Sequence, residues 1–419
     1  MQNPYVYWRA SHPLVFITLH FLFGIFIANA IPQISFRGTA LLSIAILLLE
    51  LIVMILLSKS KLSLLIIGLF TSFCLMSWGF LIQWNAFAGY SMFMPNSFYA
   101  FIDFCRNGLI YKINKNIISK EANGFALALL IGVKMDMNRS LVNAYTQLGI
   151  IHIIAISGMH LDILFKILSK LTGLLPRKKG LKIVEIIVLL ILVWTYTFIA
   201  GSGPSIIRAS VFFSIYLLGK HFELPNFTLN AIAGGLLLLI LVKANGLENI
   251  GLQLSYAAVI GIHLFYKILY NALDLDNPIV QFLWSNCCVS LAAQLTTFPI
   301  LVIHFHQVAA WVLVSNFIMV PLSNFILYGL ALLLVLPMRF AMYGGCIVEK
   351  YILFFNQLVQ DWFSNTKAGT LLITMSRLQA FLYYLILLLV YLWIYLKKSI
   401  YLIVIMALIT GYIFIKLFS

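Results

Sequence analysis

Gly149-Ile150-Ile151-His152-Ile153-Ile154-Ala155-Ile156-Ser157-Gly158-Met159-His160, continuing into Leu161-Asp162-Ile163-Leu164, is apolar enough to lie in a membrane. It nevertheless carries two histidines, a serine, glycines and an aspartate. Polar and ionisable groups at membrane depth are costly, so they face a bundle interior or a wet cavity. This stretch is therefore the candidate functional centre, and the rest of the chain supplies its setting.

Of the 419 residues, 63% are hydrophobic and 9% charged, with a mean hydropathy of +1.04. A soluble domain carries about 25% charged residues, so the chain reads as a polytopic, all-α membrane protein. Segments near the ~20 apolar residues needed to span a bilayer are 14–31, 40–58, 62–82, 150–172, 183–201, 204–219, 228–242, 247–267, 279–303 and 309–336. The tail adds 346–363, 380–396 and 399–418, the first of them punctuated by Glu349, Lys350 and Asp361. The expected fold is a transmembrane bundle of about 11–13 helices, some interrupted, with an extracytoplasmic amphipathic helix. Arg9 and Ala28-Asn29-Ala30 resemble a cleaved signal, but the apolar run and the spans after it argue for a retained first helix. Cys74, Cys105, Cys287-Cys288 and Cys346 have neither metal nor disulfide-framework spacing.

The net charge of +15 needs a location. Lys59, Lys61, Arg177-Lys178-Lys179, Lys182, Lys220, Lys267, Arg339 and Lys397-Lys398 fall on one side if each span is crossed in turn. By the positive-inside rule that side, and the N-terminus, is cytoplasmic. Residues 83–149 then lie outside. Within them Phe98, Ile102, Cys105, Leu109, Ile113 and Ile117 recur at helical spacing, beside Arg106, Lys112, Lys115 and Lys120. The pattern fits a membrane-surface anchor or an anion-attracting entrance. Gly124 to Val133 is too short to span and suits a re-entrant or interfacial helix.

Four breaks are expected within the apolar segments: Ser157-Gly158, Ala200-Gly201-Ser202-Gly203-Pro204-Ser205, Thr296-Thr297-Phe298-Pro299 and Val320-Pro321-Leu322-Ser323-Asn324. Backbone freed at membrane depth is tolerated only in protein or beside water, which makes interrupted helices pointers to a transport path. Arg208, four residues after Pro204, faces either the interface or a substrate path. His152 and His160 are eight apart, not at the i, i+4 spacing of two ligands on one helical face, so no metal is expected. Asp162 and Lys166 are spaced to neutralise each other. His304-Phe305-His306 begins like a binuclear hydrolase motif but continues Gln307-Val308-Ala309, and no nucleophile elbow, phosphate loop or paired carboxylates occur. No enzyme and no cofactor are expected.

The stretch from Gly149 to His160 resembles the hallmark of the ComEC-type competence proteins, in which a glycine, a histidine and a Ser-Gly-apolar-His step recur. Gly149, His152, Ser157, Gly158 and His160 match it. Ala126-Leu127-Ala128-Leu129-Leu130-Ile131-Gly132 resembles the helix leading into it. Gly203-Pro204-Ser205 with Arg208-Ala209, then Gln253-Leu254-Ser255-Tyr256-Ala257-Ala258, then Pro299, Ser315-Asn316-Phe317 and Pro321, resemble later family steps in order. The sequence departs from the pattern at Asp162, where a small residue is usual, and at Val133-Lys134. Only about 40 residues occupy the place of the family's oligonucleotide-binding barrel, too few for five strands. Nothing after residue 340 resembles its metallo-hydrolase-like domain.

The resemblance implies N-terminal transmembrane helices over 1–94, a channel domain over 95–340 and C-terminal helices over 341–419. It implies a bacterial inner-membrane channel passing single-stranded DNA during natural transformation. Pathway residues would be Ser157, Gly158, His160, Arg208, Gln253, Ser255 and Asn316. Arg106, Lys112, Lys115 and Lys120 would form an extracytoplasmic basic entrance. The expected partners are single-stranded DNA, the bilayer, and separate DNA-receptor, nuclease and cytoplasmic motor proteins. The other reading is a repurposed relative that carries another anionic substrate or serves as a membrane scaffold.

Overall fold

The computed structural model describes residues 13–30, 96–133, 138–154, 156, 158–172, 181–222, 227–242, 248–366 and 369–418. Among them are fifteen helices and one two-stranded antiparallel pairing. The helices are α1 (Pro13–Ala30), α2 (Asn96–Asn116), α3 (Lys120–Ile131), α4 (Arg139–Gln147), α5 (Ile151–Ile154), α6 (Gly158–Thr172), α7 (Leu181–Ile199) and α8 (Pro204–His221). They continue as α9 (Phe227–Val242), α10 (Ile250–Tyr270), α11 (Pro278–Phe305), α12 (Val312–Val335), α13 (Met338–Thr366), α14 (Arg377–Leu396) and α15 (Ser399–Phe418), with β1 (Gln307–Ala309) and β2 (Thr370–Leu372). Helices α10, α11, α12 and α14 are each long and apolar enough to cross a membrane, and shorter apolar helices accompany them. The fold is that of a multi-pass membrane protein. The expected spans 40–58 and 62–82, Ser157 and the Arg177-Lys178-Lys179 turn lie outside the described residues.

The helices group into two compact units. The first holds α1, the start of α7, α8 after its first turn, and α9. There α1 packs on α9 around Phe21, Ile25 and Ile240. A helix begins with backbone N–H groups that have no intrahelical acceptor. Asn230 Oδ1 takes one of them, from Leu14, at 3.2 Å, and Thr18 Oγ1 lies 3.0 Å from the Ala233 carbonyl and 2.7 Å from that of Leu14.

The second unit is organised by an antiparallel hairpin of α12 and α13, turned at Pro337. Its register is visible in three contacts. A Cβ on Gly344 would meet Leu333, one on Gly329 would meet Val348, and the Tyr351 hydroxyl donates to the Leu322 carbonyl at 3.3 Å. At the open end of the hairpin β2 pairs with β1, so α13 returns along the whole of α12. The expected span 346–363 is thus the inner part of a longer helix. His306 closes α11 in the left-handed region with φ 54°, and its carbonyl accepts from Ile373 N–H at 3.2 Å. The His-Phe-His stretch is a helix end leading into a strand.

The segment between α2 and the hallmark runs along this hairpin. At the closed end, Lys112 Nζ donates to the carbonyls of Leu334 and Leu336 at 2.6 and 2.9 Å. These belong to the C-terminal end of α12, where carbonyls lack intrahelical donors. Nearby, the Glu349 carboxylate accepts the backbone N–H groups of Ile118 and Ser119 at 2.8 and 3.1 Å. It supplies the N-terminus of α3 with an anion in place of a Ser119 side-chain cap. At the open end, Ser315 Oγ reaches the Leu148 carbonyl at 2.6 Å.

Leu334 and Ser315 are separated by about 28 Å of helix, close to the ~30 Å thickness of a bilayer's hydrocarbon core. This bears on the expected topology. Lys112 was expected outside and Arg339 inside, yet both sit at the closed end of one helix long and apolar enough to span. Residues 112–148 connect opposite ends of α12. Helix α3 is buried from Gly124 through Ile131, as a helix apolar all round must be.

Two of the four expected breaks are real and two are not. Helix α5 ends at Ile154 and α6 begins at Gly158; α7 ends at Ile199 and α8 begins at Pro204. By contrast α11 runs on through Pro299 and α12 through Pro321. Proline removes one N–H and strands the carbonyl four residues earlier. For Pro299 that carbonyl is Leu295, and the Tyr383 hydroxyl of α14 donates to it at 2.9 Å. Tyr384 does the same for Thr296 at 2.7 Å. Thr296 Oγ1 in turn donates to the Ala257 carbonyl of α10 at 2.6 Å.

Candidate functional site

The hallmark begins where α4 stops. Ile150 N–H donates to the Tyr145 carbonyl at 2.9 Å, and Gly149 takes φ +75°. A side chain there would be strained. It would also collide, since a Cβ would lie 2.7 Å from Val312 Cγ2 and 2.9 Å from Ala309 Cβ. With Ser315 bonded to Leu148, the first hallmark glycine is locked onto the Ser315-Asn316 end of α12. Two motifs far apart in sequence form one joint.

The gap that follows meets two helix ends. Helix α3 terminates at Gly132, with φ +77°, and a Cβ there would lie 3.1 Å from both the Ala200 carbonyl and Ile156 Cδ1. The Tyr196 hydroxyl donates to the Leu130 carbonyl at 2.9 Å, satisfying one of the last carbonyls of α3. Helix α7 ends in a turn with Ser202 N–H on the Thr197 carbonyl at 3.0 Å, and Gly201 and Ser202 both at positive φ. Three stretches of irregular backbone therefore converge: the end of α3, Ile156 in the hallmark gap, and the end of α7. Irregular backbone persists at membrane depth only inside protein or beside water.

The predicted pathway residues have distinct surroundings. Gly158 is exposed and opens α6, while His160 is only 2% exposed. His152 and His160 lie within electrostatic reach of each other. Among the described residues no three His, Cys, Asp or Glu gather to hold a metal ion. Gln253 and Ser255 are half-buried on α10. Asn316 is buried on α12, and its Oδ1 has no hydrogen-bond partner among the described residues. Arg208 belongs to the other unit, on α8 one turn beyond Pro204, and is 4% exposed.

The four basic residues of the proposed entrance do not form one patch. Arg106 and Lys115 are nine residues apart, about half a turn out of phase. Lys112 is turned to the end of α12. Lys115 sits 6.0 Å from the Tyr111 ring centroid, beside an exposed stripe of Phe101, Phe104 and Tyr111. Lys120 opens α3 and is exposed.

Sequence reading passed over the polar contacts that brace this unit. The Tyr145 hydroxyl donates to Asn356 Oδ1 at 3.0 Å, and Asn356 Nδ2 donates to Glu121 Oε1 at 3.0 Å. Tyr145 and Asn356 are fully buried, and Phe125, Tyr145 and Phe355 cluster their rings beside them. An asparagine at the buried stripe of an amphipathic helix was the available signal.

A family model described as competence protein matches residues 129–397, which takes in the hallmark, α12 and α13. The ComE operon protein 3 of Bacillus subtilis is 30% identical over 220 residues, covering 52% of this chain and 26% of that protein. An uncharacterized protein of Aquifex aeolicus is 27% identical over 114 residues, covering 27% of this chain and 26% of its own length. The matches thus span about a quarter of each relative. No solved structure matches. With the family pattern extending over more than half the chain and its hallmark forming the joint between α4, α6 and α12, the chain belongs to the competence protein family.

Proposed function

We propose that this protein passes single-stranded DNA across the bacterial inner membrane during natural transformation. The observation that carries the reading is the convergence of three irregular backbone segments at the hallmark, in a unit built around spanning helices. Membership of the competence family supports DNA as the substrate class. The role is passage rather than catalysis, with any receptor, nuclease and motor supplied as separate proteins. Buried His160 shapes the backbone joint, while exposed groups on the same helix meet the solute.

For α2 an observation favours a second role. Its cations point different ways and its exposed stripe is aromatic, so it lies at a membrane surface rather than forming a single cationic funnel. The test of the main reading is His160→Ala and Arg208→Ala in the native host at matched membrane levels. Labelled DNA is expected to stall outside the inner membrane while capture at the cell surface continues. Unchanged transformation in both variants contradicts DNA passage.

A further inference from the structure

Asp162 lies on α6 just after the hallmark, and the structure gives it a partner. Lys166 Nζ lies 2.6 Å from Asp162 Oδ2, one turn apart on α6, and their side chains are 40% (Asp162) and 60% (Lys166) exposed. Helix α6 packs against α12, and Lys166 is within electrostatic reach of the Tyr328 phenol on that helix. Tyr328 is about 7 Å along the axis from the middle of α12. If α12 spans the bilayer, the pair sits at hydrocarbon depth. Exposed charges at that depth face a bundle interior or water, not lipid tails. His160, two residues before Asp162, is buried and presents no surface to a solute. Among the described side chains of α6, the charged group offered to the path is therefore the ion pair.

We propose that Asp162 and Lys166 form a counterion-exchange site for phosphate groups of a transiting polyanion; the assignment to DNA rests on the function proposed above. An exposed, single-contact ion pair is weak and easily exchanged. When a phosphate arrives, its oxygens take over the Lys166 ammonium and the carboxylate swings free; when it leaves, Asp162 closes the contact again. The tethered carboxylate thus keeps one cation in the path from trapping a polyanion, whose affinity rises with each phosphate neutralised.

The test uses the full chain in lipid nanodiscs with two probes, a fluorescent single-stranded oligonucleotide and sodium polyphosphate. Asp162→Asn is expected to tighten binding of both by about threefold to tenfold. Lys166→Met is expected to weaken both by a similar factor and to flatten the oligonucleotide's salt dependence by about one phosphate contact. The double variant should behave as Lys166→Met alone, because the carboxylate acts only through the lysine, and Lys166→Arg should bind as the native chain does. Equal weakening by Asp162→Asn and Lys166→Met marks a purely structural pair and overturns the proposal. Oligonucleotide binding that neither variant moves overturns it while leaving DNA passage standing. Polyphosphate binding with the expected pattern, but no oligonucleotide binding, keeps the exchange site and removes the DNA assignment. Binding of neither probe overturns both.

Discussion

Pro299 and Pro321 sit inside helices that continue, whereas Gly132, Gly149 and Gly201 stand where helices end. In sequence the two regions look alike, each an apolar segment with a residue that disfavours helix. What separates them is what the neighbours can supply. A proline inside a helix strands a carbonyl, and a hydroxyl from an adjacent helix repairs the deficit, as Tyr383 does for Leu295. A residue at positive φ redirects the chain itself, and no neighbouring donor can restore the helical path. At Gly132 and Gly149 the redirected backbone is also pressed against another element, so chain direction and packing are fixed together.

The largest break in this comparison is expected at Gly149. Gly149→Val adds a branched side chain at φ +75° and drives it into Val312. A loss of about 3 kcal/mol is expected, read as a lower thermal midpoint in detergent. Val312→Ala should return part of it by removing the Cγ2 contact, while the approaches to the Ala309 and Val312 Cβ atoms at 2.9 Å and the backbone strain remain. Gly132→Ala comes next, with positive φ and a 3.1 Å approach to the Ala200 carbonyl, and should cost about 1–2 kcal/mol.

Tyr383→Phe should cost about 1 kcal/mol, the net worth of one hydrogen bond. That cost should shrink in a Pro299→Ala background, because residue 299 then donates to Leu295 itself. An undiminished cost would mean that Tyr383 is not repairing the proline. The last prediction needs no stability change. Cysteines placed at Lys115 and Arg339, both exposed near the closed end of the hairpin, should react with a membrane-impermeant reagent from the same side. Labelling from opposite sides would contradict the placement of Lys112 at the closed end of the hairpin.

Much of the second unit was legible in the sequence. Apolar segments of spanning length gave α10, α11, α12 and α14, and helical spacing of Ile102, Ile113 and Ile117 gave the buried side of α2. The glycine-rich steps at 158 and 201 marked true breaks. The proline steps misled because the deciding groups, such as Tyr383, lie in a helix about 80 residues away, and spacing carries no record of such partners. Topology is hard to read for a similar reason. Counting crossings treats residues 83–149 as a loop, while Lys112 and Leu148 are tied to opposite ends of α12. At the site, the sequence singled out His160 and treated Asp162 as incidental. Their burial differs: the histidine is enclosed, and the ion pair is partly exposed.

The most direct measurement of the central claim is the time course of labelled DNA reaching the cytoplasm in the native host, with Gly149→Val compared with Gly149→Val/Val312→Ala at matched membrane levels. If the hallmark joint shapes the passage, the single variant stalls DNA outside the inner membrane with normal surface capture, and the double variant partly restores entry. Normal entry in the single variant would contradict the claim that the joint formed by Gly149 and α12 shapes the passage.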